Sequence, residues 1–565
     1  MTDSRPIRRG ACVRWRATGV LLAALIPAFQ LLQSASPPVG HATDASDAGT
    51  LPTFPSIDGT GHNLADPQMN AAGTNLARAI PVDYTDAAES MAGDSRRSTR
   101  EISNLVNTQH DFRPNQRRTS AFVWQWGQFI DHDIDHTGAG YPPESEAIPV
   151  PADDAYFREA IPFNRSTYDK TTGHSPDKPR QQINQITGWL DGSVVYGSDE
   201  VRAKALRTHD GTGRLRTSAG DLLPFNDTDN LPNDTGGSLE VMFLAGDVRA
   251  NEQAGLTALH TLFVREHNRL ANDIAAKDPQ LTGEMIYQKA RRMVVAFLQA
   301  VTYREFLPAL LGRKKALTPY SGYDASVDAR ITNSFSTAAF RFGHSMLSTR
   351  LLRLDPRRKE IPEGHLPLRS AFFSPSRIID QGGIAPLLRG LAYQIHQDID
   401  VFIVDEVRNF LFGPPGAGGF DLAALNIQRG RDHGLPSYNV ARVKYGLQPM
   451  TRFEDISSDP EVVTRLKAAY DDPDQIDLWA GGLAEDHEHK ALVGPLFYRI
   501  IAAQFQALRD GDRFFYRNYL SRREIRKVKR TKLSRIIRRN TTIKHEIRKD
   551  VFHVRPWRKW LATSE

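Results

Sequence analysis

The stretch Trp124–Thr137 holds the residue types most able to do chemistry. Three aspartates and two histidines fall within six residues near its end. If the stretch is a helix, its 3.6-residue period places Gln128, Asp131 and His132 on one face. The same period turns Asp133 about 100° away from His132, so the two side chains need not serve one ligand. Burying so many ionisable groups is costly unless partners or a ligand compensate them.

Three interpretations of this stretch stay open on its residues alone. It could be the solvated acidic end of a helix, although that does not explain its two tryptophans and its Gly-Gln pair. It could be a metal site that uses His132 and His136, but no third ligand is spaced as in the usual zinc signatures. It could also place a catalytic histidine beside a carboxylate.

The segment Gly-Gln-Phe-Ile-Asp-His-Asp at residues 127–133 closely resembles the distal-histidine motif of the animal-type haem peroxidases, the peroxidase–cyclooxygenase superfamily. The resemblance implies a mainly α-helical fold, a single large haem peroxidase domain with few short strands. It also implies haem b as the cofactor and His132 as the distal base. Gln128 would then hydrogen-bond a distal water or halide, and Asp131 would be one of two carboxylates that form esters with the haem.

Three further blocks resemble the family and occur in the family's order. Arg249-Ala-Asn-Glu252 matches the distal arginine and the second ester-forming carboxylate. Phe340-Arg-Phe-Gly-His344 matches the proximal-ligand motif, and the glycine before His344 would let a flat macrocycle approach the backbone. In Asn426-Ile-Gln-Arg429, the resemblance implies that Asn426 orients the proximal imidazole and that Arg429 pairs with a haem propionate.

The segment at residues 182–198 presents oxygen atoms at alternate positions. Thr187, Asp191 and Ser193 offer side-chain oxygens, with the Trp189 carbonyl between them. Calcium takes six to eight oxygen ligands, which a loop of this kind supplies. On its own the pattern is weak. In the family, however, this segment binds calcium together with the aspartate after the distal histidine, which is Asp133 here.

The resemblance implies an enzyme that reduces hydrogen peroxide and oxidises a halide, thiocyanate or a small phenol, with His132, Arg249 and Gln128 as its distal residues. A fatty-acid dioxygenase or cyclooxygenase on the same fold is the main alternative. Those relatives use a tyrosyl radical three residues before the proximal histidine, where this chain has Arg341. Arg341 cannot form such a radical and is better suited to a propionate. A non-catalytic haem-binding adhesion protein is a second alternative.

The amino-acid composition and its changes along the sequence predict the organisation of the chain. With 40% hydrophobic and 24% charged residues it is typical of a globular protein. Residues 1–42 have the arginine-flanked apolar core of a signal peptide and contain the single cysteine, Cys12. We therefore expect export to the outside or the periplasm, an extended arm at 43–100, a catalytic domain at 101–556 and a tail at 557–565. No later apolar run looks long enough to cross a membrane.

Positive charge is concentrated near the C-terminus. Residues 521–560 contain sixteen Lys or Arg and three acidic residues, while the whole chain is only +6. The apolar spacing in 521–556 predicts an amphipathic helical segment that docks on an acidic body, and no nucleic-acid partner is expected. His260 and His267 lie on the apolar stripe of a predicted helix, where histidines are more often part of the core than ligands. The oligomeric state is not encoded in any motif.

Overall fold

Helices are the main regular structure of the described residues, as the sequence predicts. A computed structural model describes residues 54–234, 239–312 and 316–554. The predicted signal peptide, the first part of the arm and the tail lie outside these residues. The α-helices of the described part are α1 Thr99–Ile102, α2 Phe122–Ile134, α3 Ser193–Tyr196, α4 Glu200–Ala205, α5 Ala254–Lys277, α6 Gly283–Val301, α7 Leu307–Leu310, α8 Asn333–Thr337, α9 Ser376–Ile379, α10 Ile384–Tyr393, α11 Asp405–Arg408, α12 Leu422–Asp432, α13 Tyr438–Lys444, α14 Pro460–Ala469, α15 Leu478–Ala484, α16 Pro495–Asp510, α17 Tyr516–Tyr519, α18 Arg522–Arg530 and α19 Leu533–Asn540.

Shorter helical turns and a few strands complete the described part. The π-helical turns are Ser103–Asn107 and Thr302–Phe306, and the 3₁₀ helices are Ala219–Asp221, Leu239–Val241, Ala339–Met346, Leu368–Ser370, Phe453–Asp455 and Pro473–Gln475. Two antiparallel pairs hold the strands: β1 Thr74–Asn75 with β2 Ile183–Asn184, and β3 Arg350–Leu351 with β4 Leu366–Pro367. Strands of two residues bury little surface, so the core depends on helix packing.

The two long helices α5 and α6 form the centre of the core. Gln253 caps the N-terminus of α5 through its side chain, and Thr282 does the same for α6. After α6 the chain continues through a π turn and α7 until Gly312, whose φ of 73° suits the end of a helix.

The helical run from α6 to α7 corrects one sequence expectation. The run Gly283–Leu310 is long and apolar enough to cross a membrane by length and composition. However, 78% of its apolar window is buried inside the protein, which is the environment of a core helix.

Helix α2 packs between α3, α5 and the 3₁₀ helix Ala339–Met346. Its tryptophans explain this position, because Trp126 is fully buried and its indole donates to the Thr302 hydroxyl at 3.2 Å. The helix ends when the Asp135 amide donates to the Asp131 carbonyl, after which the chain becomes extended. The last turn of α2 therefore lies deep in the molecule.

Residues 54–98 form an arm that contains no helix and lies against the body. The Ala77 amide donates to the Ile331 carbonyl at 2.8 Å, and the Asp83 amide donates to the Gly434 carbonyl at 2.9 Å. His62 is buried, and its Nδ1 lies 2.8 Å from a carboxylate oxygen of Asp512. The arm thus joins parts of the body that are far apart in sequence.

Candidate active site

The last turn of α2 projects its two histidine-flanking aspartates in different directions, as the helical period predicts. His132 is 4% exposed, and its Nδ1 has no hydrogen-bond partner among the described residues. Burial, together with the charge of Arg249, holds the pKa of His132 well below its usual value. His132 is therefore neutral at ordinary pH and able to accept a proton.

Asp247 connects His132 to Arg249. Both of its carboxylate oxygens accept from the Arg249 guanidinium, at 2.9 and 2.8 Å, in a bidentate contact. Oδ1 of Asp247 also lies 3.4 Å from Nδ1 of His132. Burial alone would raise the pKa of Asp247, but Arg249 and His132 outweigh it and lower that pKa. The carboxylate is therefore ionised, and it fixes the arginine beside the histidine.

Glu252 lies in a network of glutamines at the start of α5. Gln128 donates to Glu252 at 3.1 Å, and Gln253 donates to Gln128 at 3.1 Å and to Gln125 at 2.7 Å. Burial raises the pKa of Glu252 to about 7, against the opposing charge of Arg249. Burial and the neighbouring Asp135 also raise the pKa of Asp131. Both carboxyl groups therefore carry a cost when ionised.

The opposite side of the site comes from the 3₁₀ helix Ala339–Met346 and from α12. Nδ1 of His344 lies 2.7 Å from the Asn426 amide, the pairing that the sequence predicts. Asn426 also accepts from the Arg341 guanidinium at 3.3 Å, so its amide nitrogen faces the imidazole. Burial and the charge of Arg341 lower the pKa of His344 to about 3. His344 is thus a neutral imidazole, the form that binds a metal ion.

The structure joins the two sides of this site. The charges of Asp131 and Arg341 affect each other's pKa, although they lie on different elements. Helix α2 packs directly on the segment that carries His344, since a Cβ atom added at Gly127 would lie 3.9 Å from Phe342. The elements that carry His132 and His344 are therefore packed against each other.

Arg429 has a different environment from the one expected. Its guanidinium donates to Asp432 and to the Ser166 hydroxyl, both at 2.8 Å, and to the Asn164 carbonyl at 3.0 Å. Its pairing with a propionate stays a prediction. The neighbouring His433 lies in the same polar network, because its Nε2 lies 2.8 Å from the Ser166 hydroxyl.

The other two candidate histidines lie in the core. His267 is satisfied by the Tyr196 hydroxyl at 2.9 Å and by the Gly213 carbonyl at 3.0 Å. His260 is buried edge-on against Phe129, with their ring centroids 5.1 Å apart. The contacts of both histidines are thus with residues of the core.

A second polar cluster lies behind His132, around Asp133 and Asp191. Asp133 accepts from the Val194 amide at 2.9 Å, and its backbone carbonyl accepts from the Ser193 hydroxyl at 2.9 Å. Burial and the charge of Asp191 raise the pKa of Asp133 well above its usual value. Oδ2 of Asp191 and the Thr187 hydroxyl are buried without hydrogen-bond partners among the described residues. Two buried carboxylates and unpartnered oxygens form an environment that a hard cation would stabilise.

Sequence reasoning missed Asp247 and His62. Asp247 stands two residues before Arg249, a spacing that could have been noticed as an ion pair. His62 stacks on Trp189 with ring centroids 5.1 Å apart, and its Nε2 lies 3.9 Å from Asp191. No local signal indicates His62, because it lies more than a hundred residues from the loop that it touches.

The metal-hydrolase interpretation finds no support in the described residues. They contain no cluster of three or more His, Cys, Asp or Glu side chains arranged to hold a metal ion. His136 instead lies 3.4 Å from Asp234 at the rim of the site. The calcium site predicted from the sequence uses only two carboxylates, together with hydroxyl and carbonyl oxygens. A search for three or more His, Cys, Asp or Glu side chains does not test such a site.

A two-sided imidazole site in a mainly helical domain is the architecture of a haem peroxidase. A model of the animal haem peroxidase family matches residues 54–552, and the chain belongs to that family. Peroxinectin A of Dictyostelium discoideum is 35% identical over 526 residues, which make up 88% of this chain and 95% of the relative. The protein is accordingly a haem-dependent oxidoreductase.

Two solved structures resemble the fold. Peroxidase A from Dictyostelium discoideum superposes with a TM-score of 0.82 at 33% identity, over 88% of this chain and 99% of that one. The Oryza sativa fatty acid alpha-dioxygenase superposes with a TM-score of 0.74 at 21% identity, over 89% and 87% of the two chains. At that identity the second likeness shows the fold alone.

The residues of this chain fit a haem. His344 is neutral, and Asn426 holds its Nδ1. With the Asn426 amide turned so that its oxygen accepts the Nδ1–H, the other ring nitrogen is free to serve as a ligand. A Cβ added at Gly343 would meet no atom within 4 Å, so the backbone before His344 borders open space. His132 lies on α2 and Arg249 in the turn before α5.

The contact of Asp247 with both distal residues generates a prediction. Asp247→Asn should slow the reaction with peroxide roughly 10–100-fold, the usual cost of losing a partner that orients a functional imidazole. Stopped-flow kinetics would measure this rate, and the rate of cyanide binding to the ferric haem would report proton removal by His132 without turnover.

Two controls accompany the Asp247 variant. Asp234→Asn removes the same charge beside the neighbouring His136 and should leave both rates nearly unchanged. In a His132→Ala background, Asp247→Asn should cost less than it does in the wild type. An equal cost in both backgrounds would mean that Asp247 acts through Arg249 alone.

Proposed function

We propose that this protein is an exported peroxidase that reduces hydrogen peroxide and oxidises a halide, thiocyanate or a small phenol. The observation that carries the proposal is the pairing of His132 and Arg249 through Asp247, opposite a neutral His344. A protein that merely stores haem has no need of a desolvated base beside a fixed cation. This argues against the non-catalytic adhesion alternative.

His132 and Arg249 have different roles in the reaction with peroxide. A bound haem supplies an iron that binds peroxide and accepts oxidising equivalents. His132 accepts a proton from one peroxide oxygen and returns it to the other, so that the second oxygen leaves as water. Arg249 stabilises the negative charge that develops on the departing oxygen, and Asp247 holds it in place beforehand. Gln128 binds a water or halide beside His132.

On the opposite side, the residues around His344 hold the cofactor. Asn426 fixes the imidazole, and turning the Asn426 amide over would let it accept the ring N–H while releasing Arg341. Arg341 and Arg429 are the cations that pair with the propionates in this proposal. Arg341 would exchange its contact with the Asn426 amide for a charge-assisted one, and Arg429 would contact a propionate in addition to Asp432.

The dioxygenase alternative depends on the position that Arg341 occupies. An oxygenase of this fold needs an oxidisable side chain there, and a guanidinium has no accessible phenoxyl-type radical. The fold likeness to a fatty acid alpha-dioxygenase does not supply that side chain. Arg341 therefore favours oxidation of a small donor at the haem edge over hydrogen abstraction from a lipid.

The haem-loaded protein should oxidise iodide, bromide or a small phenol with hydrogen peroxide, and should consume no oxygen when given a polyunsaturated fatty acid. His132→Ala should slow the reaction with peroxide roughly 10²–10⁴-fold and keep the Soret band, because it transfers protons and is not a ligand. His344→Ala should lose or shift that band.

His136→Ala is the matched control for the distal variant, since His136 lies just beyond the end of the same helix. It should react with peroxide at nearly the wild-type rate. Oxygen uptake with fatty acid, or a His132→Ala variant as fast as the wild type, would refute the peroxidase proposal.

We further propose that calcium binds Asp133, Thr187, the Trp189 carbonyl, Asp191 and Ser193. The buried, unpartnered oxygens of Thr187 and Asp191 support this site. Because α2 carries both Asp133 and His132, an ion at Asp133 would also fix the distal base.

Removing the calcium should lower the melting temperature and weaken haem retention. Asp191→Ala should reproduce both effects and abolish the response to added calcium. Differential scanning calorimetry with and without a calcium chelator checks the first effect, and elemental analysis checks the ion itself. Fully active protein without bound calcium would contradict this site.

The ester links through Asp131 and Glu252 are a separate proposal. Both pKa values are raised, so esterification would remove two charges that are costly to bury. A sulfonium link of the kind that methionine forms is excluded next to Glu252, where Gln253 stands.

After turnover with peroxide, acidified organic solvent should leave haem attached to the wild-type protein. Glu252→Gln should make part of that haem extractable, because one of the two attachment points is lost. Chromatography of the extracted pigment measures the fraction. Complete extraction from the wild type would disprove the covalent links and leave the peroxidase assignment intact.

The domain organisation and location complete the proposal. Residues 1–42 are proposed to be a signal peptide, followed by the arm at 43–100, the catalytic domain at 101–556 and the tail at 557–565. Cleavage after Ala42 would remove Cys12, and the mature chain would reach an oxidising compartment without a cysteine. Its stability would then depend on the core, the haem and the ion.

A further inference from the structure

The C-terminal helices α18 and α19 present positive charge to solvent. Their apolar side chains dock on α5 and α6, with Val528, Leu533, Ile536 and Ile537 buried. The exposed cations of residues 521–550, here called the basic surface, are Arg522, Arg523, Arg526, Lys527, Lys529, Arg530, Lys532, Arg535, Lys544 and Lys549. The segment therefore docks through its apolar face, and its charges point outward.

The body does not neutralise this surface, contrary to the expectation from the sequence. Among the described residues, Lys532 alone of the ten cations lies within 4 Å of a carboxylate, that of Glu305 at 3.9 Å. The half-buried Arg539 pairs with Glu266, but it is not part of the surface.

The three acids of the segment offset only part of the charge of this surface. Glu524 pairs with Arg292 and Glu546 with Arg389, both of them cations of the body, and Asp550 lies beside His553. The basic surface therefore keeps most of its positive charge.

The rest of the chain makes the charge separation larger. Residues 521–560 and residues 1–40 together carry more positive charge than the whole chain, which is +6. The region between them is therefore net acidic. A molecule with one basic face and an acidic body approaches an anionic plane in one orientation, since the body is repelled while the face is attracted.

The sequence beyond the described residues favours a lipid surface over a soluble polymer. The Val554 amide donates to the Arg118 carbonyl, and Arg548 donates to the His553 carbonyl, so the chain leaves the described part beside the basic surface. It continues with three more cations and two tryptophans, Trp557 and Trp560. Indole side chains favour the interface between water and hydrocarbon, and cations with tryptophans are typical of segments that bind there.

We propose that the basic surface binds the face of an anionic phospholipid bilayer. Binding would be peripheral and reversible, because the described part of the surface has no exposed large apolar side chain to insert. The enzyme would then be concentrated on anionic membranes. This inference is independent of the proposed reaction and of the calcium and ester proposals.

Co-sedimentation of the purified, haem-loaded full chain with phospholipid vesicles tests the proposal. It should bind phosphatidylcholine vesicles that contain phosphatidylserine, should not bind pure phosphatidylcholine, and should dissociate as salt is raised. The surface variant replaces four exposed cations: Arg522→Gln, Arg526→Gln, Arg530→Gln and Arg535→Gln. From the usual contribution of one cation near an anionic surface, its binding should weaken roughly 10²–10³-fold.

A matched control variant carries the same change in net charge outside the segment. Its four exposed positions are Lys178→Gln, Lys204→Gln, Lys444→Gln and Lys490→Gln. It should bind vesicles like the wild type, and all variants should keep the wild-type melting temperature. Equal weakening in the control would show that net charge, and not the basic surface, drives binding.

The tryptophans separate a bilayer from a soluble polyanion. Trp557→Ala with Trp560→Ala should weaken binding to phosphatidylserine vesicles and leave binding to heparin or duplex DNA unchanged. Absence of vesicle binding by the wild type, or tighter binding to heparin or DNA at equal anionic charge, would overturn the proposal.

Discussion

Burying the charged end of α2 is the constraint on which the rest of the structure depends. One helical turn carries His132 and Asp133 into the interior and leaves Asp131 half-buried, so each would be costly without a partner. The partners come from separate parts of the chain: the loop at 187–194 for Asp133, and Asp247 with its arginine for the other two. Correct folding of these parts is therefore needed before the helix end can be buried at all.

The Asp247–Arg249 pair and the Asp133–Asp191 cluster lie on either side of α2 and are also connected by direct backbone packing. The turn that holds Asp247 and Arg249 packs on the loop of the proposed calcium site, where a Cβ at Gly246 would lie 2.3 Å from the Ser193 carbonyl. Only glycine allows this approach of two backbones. Displacement of the Ser193 loop would therefore displace Arg249 directly, through the Gly246 contact. It would also displace His132, through the contact between Ser193 and Asp133 of α2. The geometry of the distal side depends on both routes.

The fold class and the few short strands were predicted from the resemblance of several sequence blocks to a known family, because such motifs are local signals. The sequence also predicted the two faces of α2 from the helical period. It could not predict that Asp247 joins His132 to Arg249, nor that Arg429 is held by Asp432, since such contacts depend on tertiary packing. The basic segment shows the same limit: its apolar spacing indicated a docked helix, while the direction of its cations followed from which neighbours α5 and α6 present.

The contact between His62 and Asp512 has a consequence for the lifetime of the folded protein. It ties the start of the described chain to residues 450 positions later, and His62 also stacks on Trp189 beside Asp191. A fold closed in this way must break a long-range, buried contact before its N-terminal arm can peel away. The chain has a single cysteine and so no internal disulfide. The His62–Asp512 contact therefore helps to keep the arm folded and protected from proteases. Cleavage between the arm and α1 would separate His62 from the rest of the chain, while every residue of the active site would stay in the larger fragment.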